Sequence, residues 1–353
     1  MGAVTHIQWT DHTFNPWEGC TKVSPGCLHC YAESRNQRFT GGANWGKGAP
    51  RRRTSVHNWN EPKRWDRKAA EDYNEWAGHS ALHGGNPRYP EPRRPRVFCA
   101  SLADWLDDEV DLEWLADLLQ LIHECTFLDW QLLTKRPQNW KPRLADVVNL
   151  VLTYRPADKK NYDLIQWVQG WLNGTPPGNV WIGWSCEDQQ RLDERSPHGI
   201  EIPAKIHFVS CEPLLGPLNF FPLPPGGRQR LPVSWLDLGS CAESRIDWVI
   251  VGGESGSSAR PMHIDWARDI RQQCAIAEVP FFFKQWGEWT PIYGTGILRG
   301  NEDDEADRYV WLSIEGKQCE SGLAPDVLMI RPGKVAAGRA IDGKEHDEFP
   351  VLP

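Results

Sequence analysis

Residues 19–33 read G-C-T-K-V-S-P-G-C-L-H-C-Y-A-E, which sets Cys20, Cys27 and Cys30 at the spacing C-x6-C-x2-C on a loop punctuated by Gly and Pro. Three soft thiolates so placed suit an iron-sulfur cluster or zinc, and no fourth cysteine stands close by to complete a tetrahedral structural site. A metal centre held by three protein thiolates keeps one coordination position open, and an open position is what a metal needs to bind and activate a small molecule. The competing reading is a zinc site completed by His29, Glu33 or a distant cysteine. The loop follows a strand-like segment, His6, Ile7, Gln8 and Trp9, and leads into a helical stretch that begins near Tyr31.

Working outward, short apolar runs alternate with helix-like stretches as in repeated β/α units. The expected strands are Val97 to Ala100, Trp130 to Thr134, Val180 to Ser185, Ile206 to Cys211, Trp248 to Gly252 and Pro280 to Lys284, with helices over Asp111 to Cys125 and Asp265 to Ala277. Several runs are nearly continuous in apolar character, as strands covered on both faces are. With the segment near Ile7 they predict an α/β fold, a partial parallel barrel of six or seven strands occupying residues 1–290. A basic insertion over 38–96 and a C-terminal cap or extension over 291–353 complete the expected plan. That last segment holds an acidic stretch (Glu302, Asp303, Asp304, Glu305, Asp307) and two strand-like runs, Tyr309 to Ile314 and Val327 to Ile330.

Charge is divided unevenly. Residues 38–96 carry 13 Lys or Arg against 6 Asp or Glu, net +7, which leaves 26 against 41 elsewhere, net −15, in a chain of net −8. The excess gathers in Arg51, Arg52 and Arg53, in Lys63, Arg64, Arg67 and Lys68, and in Arg93, Arg94 and Arg96, with Trp45, Trp59, Trp65, Trp76 and Tyr89 between them. Cations with interspersed aromatics neutralise phosphates and stack on bases, and a solvated surface insertion is the alternative. The 20 tryptophans are chiefly expected in the core. Beyond the first three, the 10 cysteines follow no regular framework, the N-terminus lacks the basic-then-apolar plan of a signal peptide, and no apolar run reaches membrane-spanning length. The expectation is therefore a cytoplasmic protein without membrane contact.

In α/β barrels the residues directly after each strand converge on one mouth. Here these are Ser101 to Asp104, Thr134-Lys135-Arg136-Pro137, Ser185-Cys186-Glu187-Asp188, Ser210-Cys211-Glu212-Pro213, Gly252-Gly253-Glu254-Ser255-Gly256 and Lys284-Gln285-Trp286-Gly287. Each alone is equally readable as a strand end that caps the next helix. The run G-G-E-S-G does not fit G-x-G-x-x-G, so a nicotinamide or flavin fingerprint is not supported.

Taken together, W-T-D-H-T-F-N-P-W-E-G-C-T-K-V-S-P-G-C-L-H-C-Y-A-E, L-L-T-K-R-P, S-C-E-P-L-L-G-P, W-V-I-V-G-G-E-S-G-S-S-A-R-P-M and P-F-F-F-K-Q-W-G-E-W resemble a family of phage-associated radical S-adenosylmethionine (SAM)-like proteins, with a weaker likeness in the G-R-A-I-D-G-K tail. The cysteine loop departs from the commonest C-x3-C-x2-C form by three extra residues, and the position before the last cysteine is His29. The resemblance implies a radical-SAM-type partial barrel in which Cys20, Cys27 and Cys30 hold a [4Fe-4S] cluster and SAM chelates the fourth iron. It further implies an external electron donor such as flavodoxin or ferredoxin, a bacterial host cytoplasm, and a nucleobase or nucleotide substrate, for example a hypermodified pyrimidine in phage DNA. By the same likeness Ser101 and Asp104, Ser185 and Glu187, and Gly252, Gly253 and Glu254 are candidates for binding SAM. Glu212, Cys211 and Lys284 are candidates for the chemistry, with Lys135, Arg136 and Arg260 as cations for a phosphate or carboxylate. The alternative function is a non-catalytic nucleic-acid-binding protein stabilised by zinc or a cluster.

Overall fold

A computed structural model describes residues 5, 7–83, 89–221, 235–236, 245–292, 309–319 and 326–351. In chain order the first elements are β1 (His12–Phe14), β2 (Trp17–Glu18), α1 (Tyr31–Thr40), β3 (Arg52–Arg53), α2 (Val56–His83) and β4 (Arg96–Cys99). Next come α3 (Leu112–Glu124), β5 (Asp129–Thr134), α4 (Trp140–Tyr154), α5 (Lys159–Leu172), β6 (Val180–Ser185), α6 (Gln189–Ile200) and β7 (Ile206–Cys211). They are followed by β8 (Trp248–Gly252), α7 (Ile264–Ile276), β9 (Phe281–Gln285), β10 (Thr290–Pro291), β11 (Tyr309–Leu312), β12 (Gln318–Cys319) and β13 (Val327–Ile330). The main sheet is a curled half-barrel of seven parallel strands in the order β1-β4-β5-β6-β7-β8-β9. The acidic stretch at 302–307 and Cys241 lie outside the described residues.

The chain divides into two compact units, the first made of residues 1–21, 35–182 and 202–205, the second of residues 22–34, 183–201 and 206–353. In the first, β1 pairs with β4 (His12 opposite Val97) and β4 with β5 (Arg96 opposite Asp129). Asp111 caps α3 by accepting the Glu113 amide at 2.8 Å, and Leu115, Leu118, Leu119 and Ile122 form its buried stripe. That spacing is the 3.6-residue period of a helix with one face in the core. Trp105 and Trp171 stack behind it with ring centroids 6.3 Å apart.

In the second unit β7, β8 and β9 are buried along almost their whole length, with Phe208 opposite Trp248 and Val249 opposite Phe281. Helix α7 turns Ile264, Ala267, Ile270 and Cys274 inward, and His263 caps it through the Asp265 amide. A separate antiparallel sheet, β10-β13-β11-β12, follows. Nine tryptophans, Trp9, Trp17, Trp105, Trp130, Trp171, Trp184, Trp248, Trp266 and Trp286, rank among the largest fully buried side chains, so core packing accounts for much of the tryptophan content. Among the described residues, no helix is long and apolar enough to cross a membrane.

Two expectations need correction. Gln8 and Trp9 lie in a turn, and the first strand is His12–Phe14. The basic insertion, moreover, is largely neutralised within the first unit. Arg51 pairs with Asp107 and Glu109, Arg52 with Glu18, Arg53 with Asp117, Lys63 with Glu124, Arg93 and Arg96 with Asp11, and Arg94 with Asp129. Its aromatic rings are packing groups as well. Trp65 stacks on His12 at 4.2 Å, Trp59 meets Phe14 edge-on at 5.5 Å, and the Arg53 guanidinium lies 4.2 Å from the Trp59 ring. These contacts fasten α2, the long helix of the insertion, to β1.

The Arg51–Asp107 pair sits at 2.8 Å with side chains 1% and 0% exposed. Removing one partner of such a pair strands a buried charge. Arg51→Met is therefore expected to lower the unfolding free energy by about 3–5 kcal/mol. Arg67→Ala, at an exposed position with no ion pair among the described residues, should change it by less than about 0.5 kcal/mol. Urea denaturation of the two variants checks the contrast; equal stabilities would mean that the Arg51 pair does not anchor the insertion.

Candidate functional site

Cys20 belongs to the first unit and stands two residues beyond β2, joined through bridges from Gly19 to Ala103 and from Cys20 to Trp45. Gly19 has φ +113°, and a Cβ there would collide with the Asn44 carbonyl, so the approach of the two backbones requires glycine. The next residue, Thr21, is held by two buried arginines. Arg51 donates from Nη2 to Thr21 Oγ1 at 2.8 Å, and Arg136 donates from Nη2 to the Thr21 carbonyl at 2.9 Å. Arg136 Nη1 also lies 3.6 Å from Cys20 Sγ.

Asp104 organises this corner. Its carboxylate accepts from Thr134 Oγ1 at 2.6 Å, from the Lys135 amide at 2.8 Å, from the Leu106 amide at 3.0 Å and from Arg136 Nη1 at 3.0 Å. With so many donors already on its two oxygens, Asp104 orients Arg136. Ser101 is bonded to Asn15, whose Oδ1 takes the Leu102 amide at 2.7 Å. Burial pushes the Cys20 thiol up to about 12, against the opposing pull of Arg136. For Arg136 burial acts downward, but Asp104, Cys20 and Asp107 outweigh it and hold the guanidinium protonated.

Cys27 and Cys30 belong to the second unit. Pro25–Cys27 forms a 3-10 turn in which the Cys27 amide donates to the Ser24 carbonyl at 2.9 Å and Cys27 Sγ lies 3.8 Å from Ser24 Oγ. Lys22 spans the loop, reaching the Leu28 carbonyl at 3.3 Å and the Glu33 carboxylate at 2.7 Å. Two residues that follow strands clip the turn. Glu187, after β6, is 0% exposed; it accepts from the Gly26 amide at 3.2 Å and from Arg195 at 2.8 Å. Arg195 also donates to the carbonyl of Ser185, a buried residue at the end of β6. A Cβ on Gly26 would stand 2.9 Å from Glu187 Cδ, so this contact needs the glycine. Glu254, after β8, takes three hydrogen bonds from Arg260, at 2.6, 2.8 and 2.9 Å, and Arg260 Nη2 reaches the Pro25 carbonyl at 3.1 Å.

Glu212, directly after β7, pairs with Lys284 of β9 at 3.0 Å. Its carboxylate occupies the space that a Cβ on Gly252 would take, and β8 is the strand between the other two. Gly253 packs equally closely on the Trp286 carbonyl. Both glycines thus have neighbours within the chain that require them. Cys211 is fully buried, and burial raises its thiol well above the ordinary range.

None of Cys20, Cys27 and Cys30 is in a disulfide. As the side chains stand, no group of three His, Cys, Asp or Glu among the described residues is arranged to hold a metal ion. The strand-end rule picks out Asp104, Ser185, Glu187, Glu254, Glu212 and Lys284, but not Asn15, Asp107 and Arg195, nor Arg51, which the charge pattern offers only as a cation for a polyanion. These four lie outside the strand ends and are found only through their partners; Arg195 is two helical turns beyond Glu187, on α6.

No curated protein and no solved structure matches this chain. Residues 4–350 match the family described as "Protein of unknown function (DUF5131)", and the chain belongs to that family.

Proposed function

We propose that this protein is a radical SAM enzyme that reductively cleaves S-adenosylmethionine at a [4Fe-4S] cluster in order to modify a nucleobase or nucleotide. The observation that carries the reading is the anchoring of the cysteine loop: Gly26 and Pro25, beside Cys27, are bonded to Glu187 and to the Glu254–Arg260 pair, which follow β6 and β8. A loop that carries thiols and is fixed by polar strand ends is the arrangement expected where a cofactor meets the mouth of a barrel.

The donor set fits a cluster in kind, since three soft thiols outside any disulfide on one loop leave a fourth iron for another ligand. Binding would displace the protons of Cys20, Cys27 and Cys30. When bound, the cluster and SAM supply one-electron reductive cleavage of a sulfonium, with the electron coming from an external carrier. The chain's own residues would position and protect that chemistry. Ser185, Glu187, Gly252, Gly253 and Glu254 are the proposed SAM-side residues, with Glu187 and Glu254 acting through the loop. Ser101 and Asp104 act through Asn15 and Arg136. Glu212 and Lys284, paired and only partly buried, are suited to hold or move a proton on the substrate. Cys211 is the proposed hydrogen-atom donor.

Anaerobic purification should give a brown protein that releases 5′-deoxyadenosine from SAM, and Cys20→Ala, Cys27→Ala and Cys30→Ala should each abolish the cluster absorbance. Full iron in the single variants, or a colourless zinc protein, would defeat the reading and leave a non-catalytic binder in its place. Glu212→Gln is expected to keep wild-type iron content while turnover falls by about 10²–10⁴-fold, the usual worth of a positioned acid or base; unchanged turnover would remove Glu212 from the chemistry. If the substrate base lies within DNA or RNA, the intact protein should bind nucleic acid at low salt with a log-log salt dependence. In that case Arg67→Ala should flatten the slope by about one unit. Absence of binding at low salt would make the substrate a free nucleotide.

A further inference from the structure

Residues 35–40, the part of α1 that belongs to the first unit, leave Phe39 66% exposed. Two guanidiniums flank its ring: the Cζ of Arg35, one turn earlier, lies 5.2 Å from the ring centroid, and that of Arg38 lies 5.5 Å from it. Arg35 also reaches Glu18 of β2, donating from Nη1 to Oε1 at 2.9 Å. The other oxygen of Glu18, Oε2, takes Arg52, which stands opposite Glu18 in the pairing of β2 with β3. Arg35 and Arg52 thus share one buried carboxylate. Arg38 is exposed and makes no ion pair among the described residues, and Glu33, the one acidic residue of α1, is taken by Lys22 at 2.7 Å. Three guanidiniums against one carboxylate leave an excess of two positive charges beside one exposed ring.

We propose that Phe39, with Arg35, Arg38 and Arg52 around it, is a stacking platform for single-stranded nucleic acid, the ring taking a base and the guanidiniums the adjoining phosphates. A lone exposed ring is ordinary on a protein surface, and so is a paired surface arginine. Their combination selects a partner. Unmatched cations draw a polyanion, and an exposed ring binds a planar group by stacking. An acidic protein surface would meet the charges and leave the ring unused, and a duplex offers phosphates while its bases stay stacked on one another. A single strand supplies both groups at adjacent positions, whether it is DNA or RNA. Glu18 holds Arg35 and Arg52 in place before any ligand arrives, which lowers the ordering cost of binding. The inference goes beyond the function proposed above and needs neither a cluster nor SAM.

The test measures fluorescence anisotropy of labelled single strands of DNA and of RNA, about 15 nucleotides long, and of the matching DNA duplex, with the full chain over a salt series. Wild type should bind both single strands more tightly than the duplex. Phe39→Ala should weaken single-strand binding about 5- to 150-fold, the worth of one stacked base, and leave the log-log salt slope unchanged because no phosphate contact is lost. Arg38→Ala should reduce that slope by about 0.7, the share of one phosphate on a single strand. Phe39→Trp should keep wild-type affinity or better, since the indole also stacks on a base. In the wild-type protein, ultraviolet cross-linking to a strand that carries 5-iodouracil should place the adduct on Phe39, a readout that needs no variant. Failure to bind single strands at low salt, equal affinities of wild type and Phe39→Ala, duplex binding as tight as single-strand binding, or adducts only elsewhere would each overturn the platform. A protein without iron that binds strands through Phe39 would defeat the radical SAM reading and leave this inference standing; an iron-loaded protein with no affinity for single strands would do the reverse.

Discussion

Parallel pairing makes each strand hand over to a crossover before its neighbour begins, so within each unit the strands deliver their carboxyl ends to one edge of the sheet. Here those ends carry carboxylates, and each has its own cation. Asp104 holds Arg136 at 3.0 Å, Glu187 holds Arg195 at 2.8 Å, Glu212 holds Lys284 at 3.0 Å and Glu254 holds Arg260 at 2.6 Å. Three of the four carboxylates are almost fully buried. Charges so placed must be matched, because the cost of removing a lone carboxylate from water is several kcal/mol or more.

The same constraint explains what could be read from the chain. Val180–Ser185, Ile206–Cys211 and Trp248–Gly252 were legible to the residue because strands covered on both faces need continuous apolar runs. The edge strand His12–Phe14 contains two polar residues in three and offered no such run. The apolar pattern that stood in for it includes Trp9, which is buried at 1% exposure from within a turn. Helix α2 was hidden in a polar insertion interrupted by Pro62, and its clearest signal, Ser55 accepting the Asn58 amide, is a single cap.

Charge composition was a poorer guide than hydrophobic pattern. The net +7 of residues 38–96 is real in sequence, yet Arg51, Arg52, Arg53, Lys63, Arg93, Arg94 and Arg96 all meet carboxylates contributed from outside that segment. Composition reports the charge a segment carries, whereas a partner responds only to the charge left unmatched at the surface. Glycines carry two readings in a related way. Gly252 and Gly253 suggest close approach of a ligand, and within the chain Glu212 and the Trp286 carbonyl approach them as well. The candidate residues after β6, β7 and β8 follow from a rule about strand ends, while the contacts that engage them could be found only in three dimensions.

Buried ion pairs are weak evidence for stability, since the desolvation cost of two charges consumes much of their attraction. The strand-end pairs do something that well-packed apolar residues could not. Arg136 has a donor left for the Thr21 carbonyl, Arg260 has one left for the Pro25 carbonyl, and Glu187 has an oxygen left for the Gly26 amide. Each pair thus satisfies a backbone group of the cysteine loop as well as its own charges, and the loop is held by its main chain at Thr21, Pro25 and Gly26. The anchoring thus falls on backbone atoms of the loop, and Cys20, Cys27 and Cys30 are left outside any disulfide.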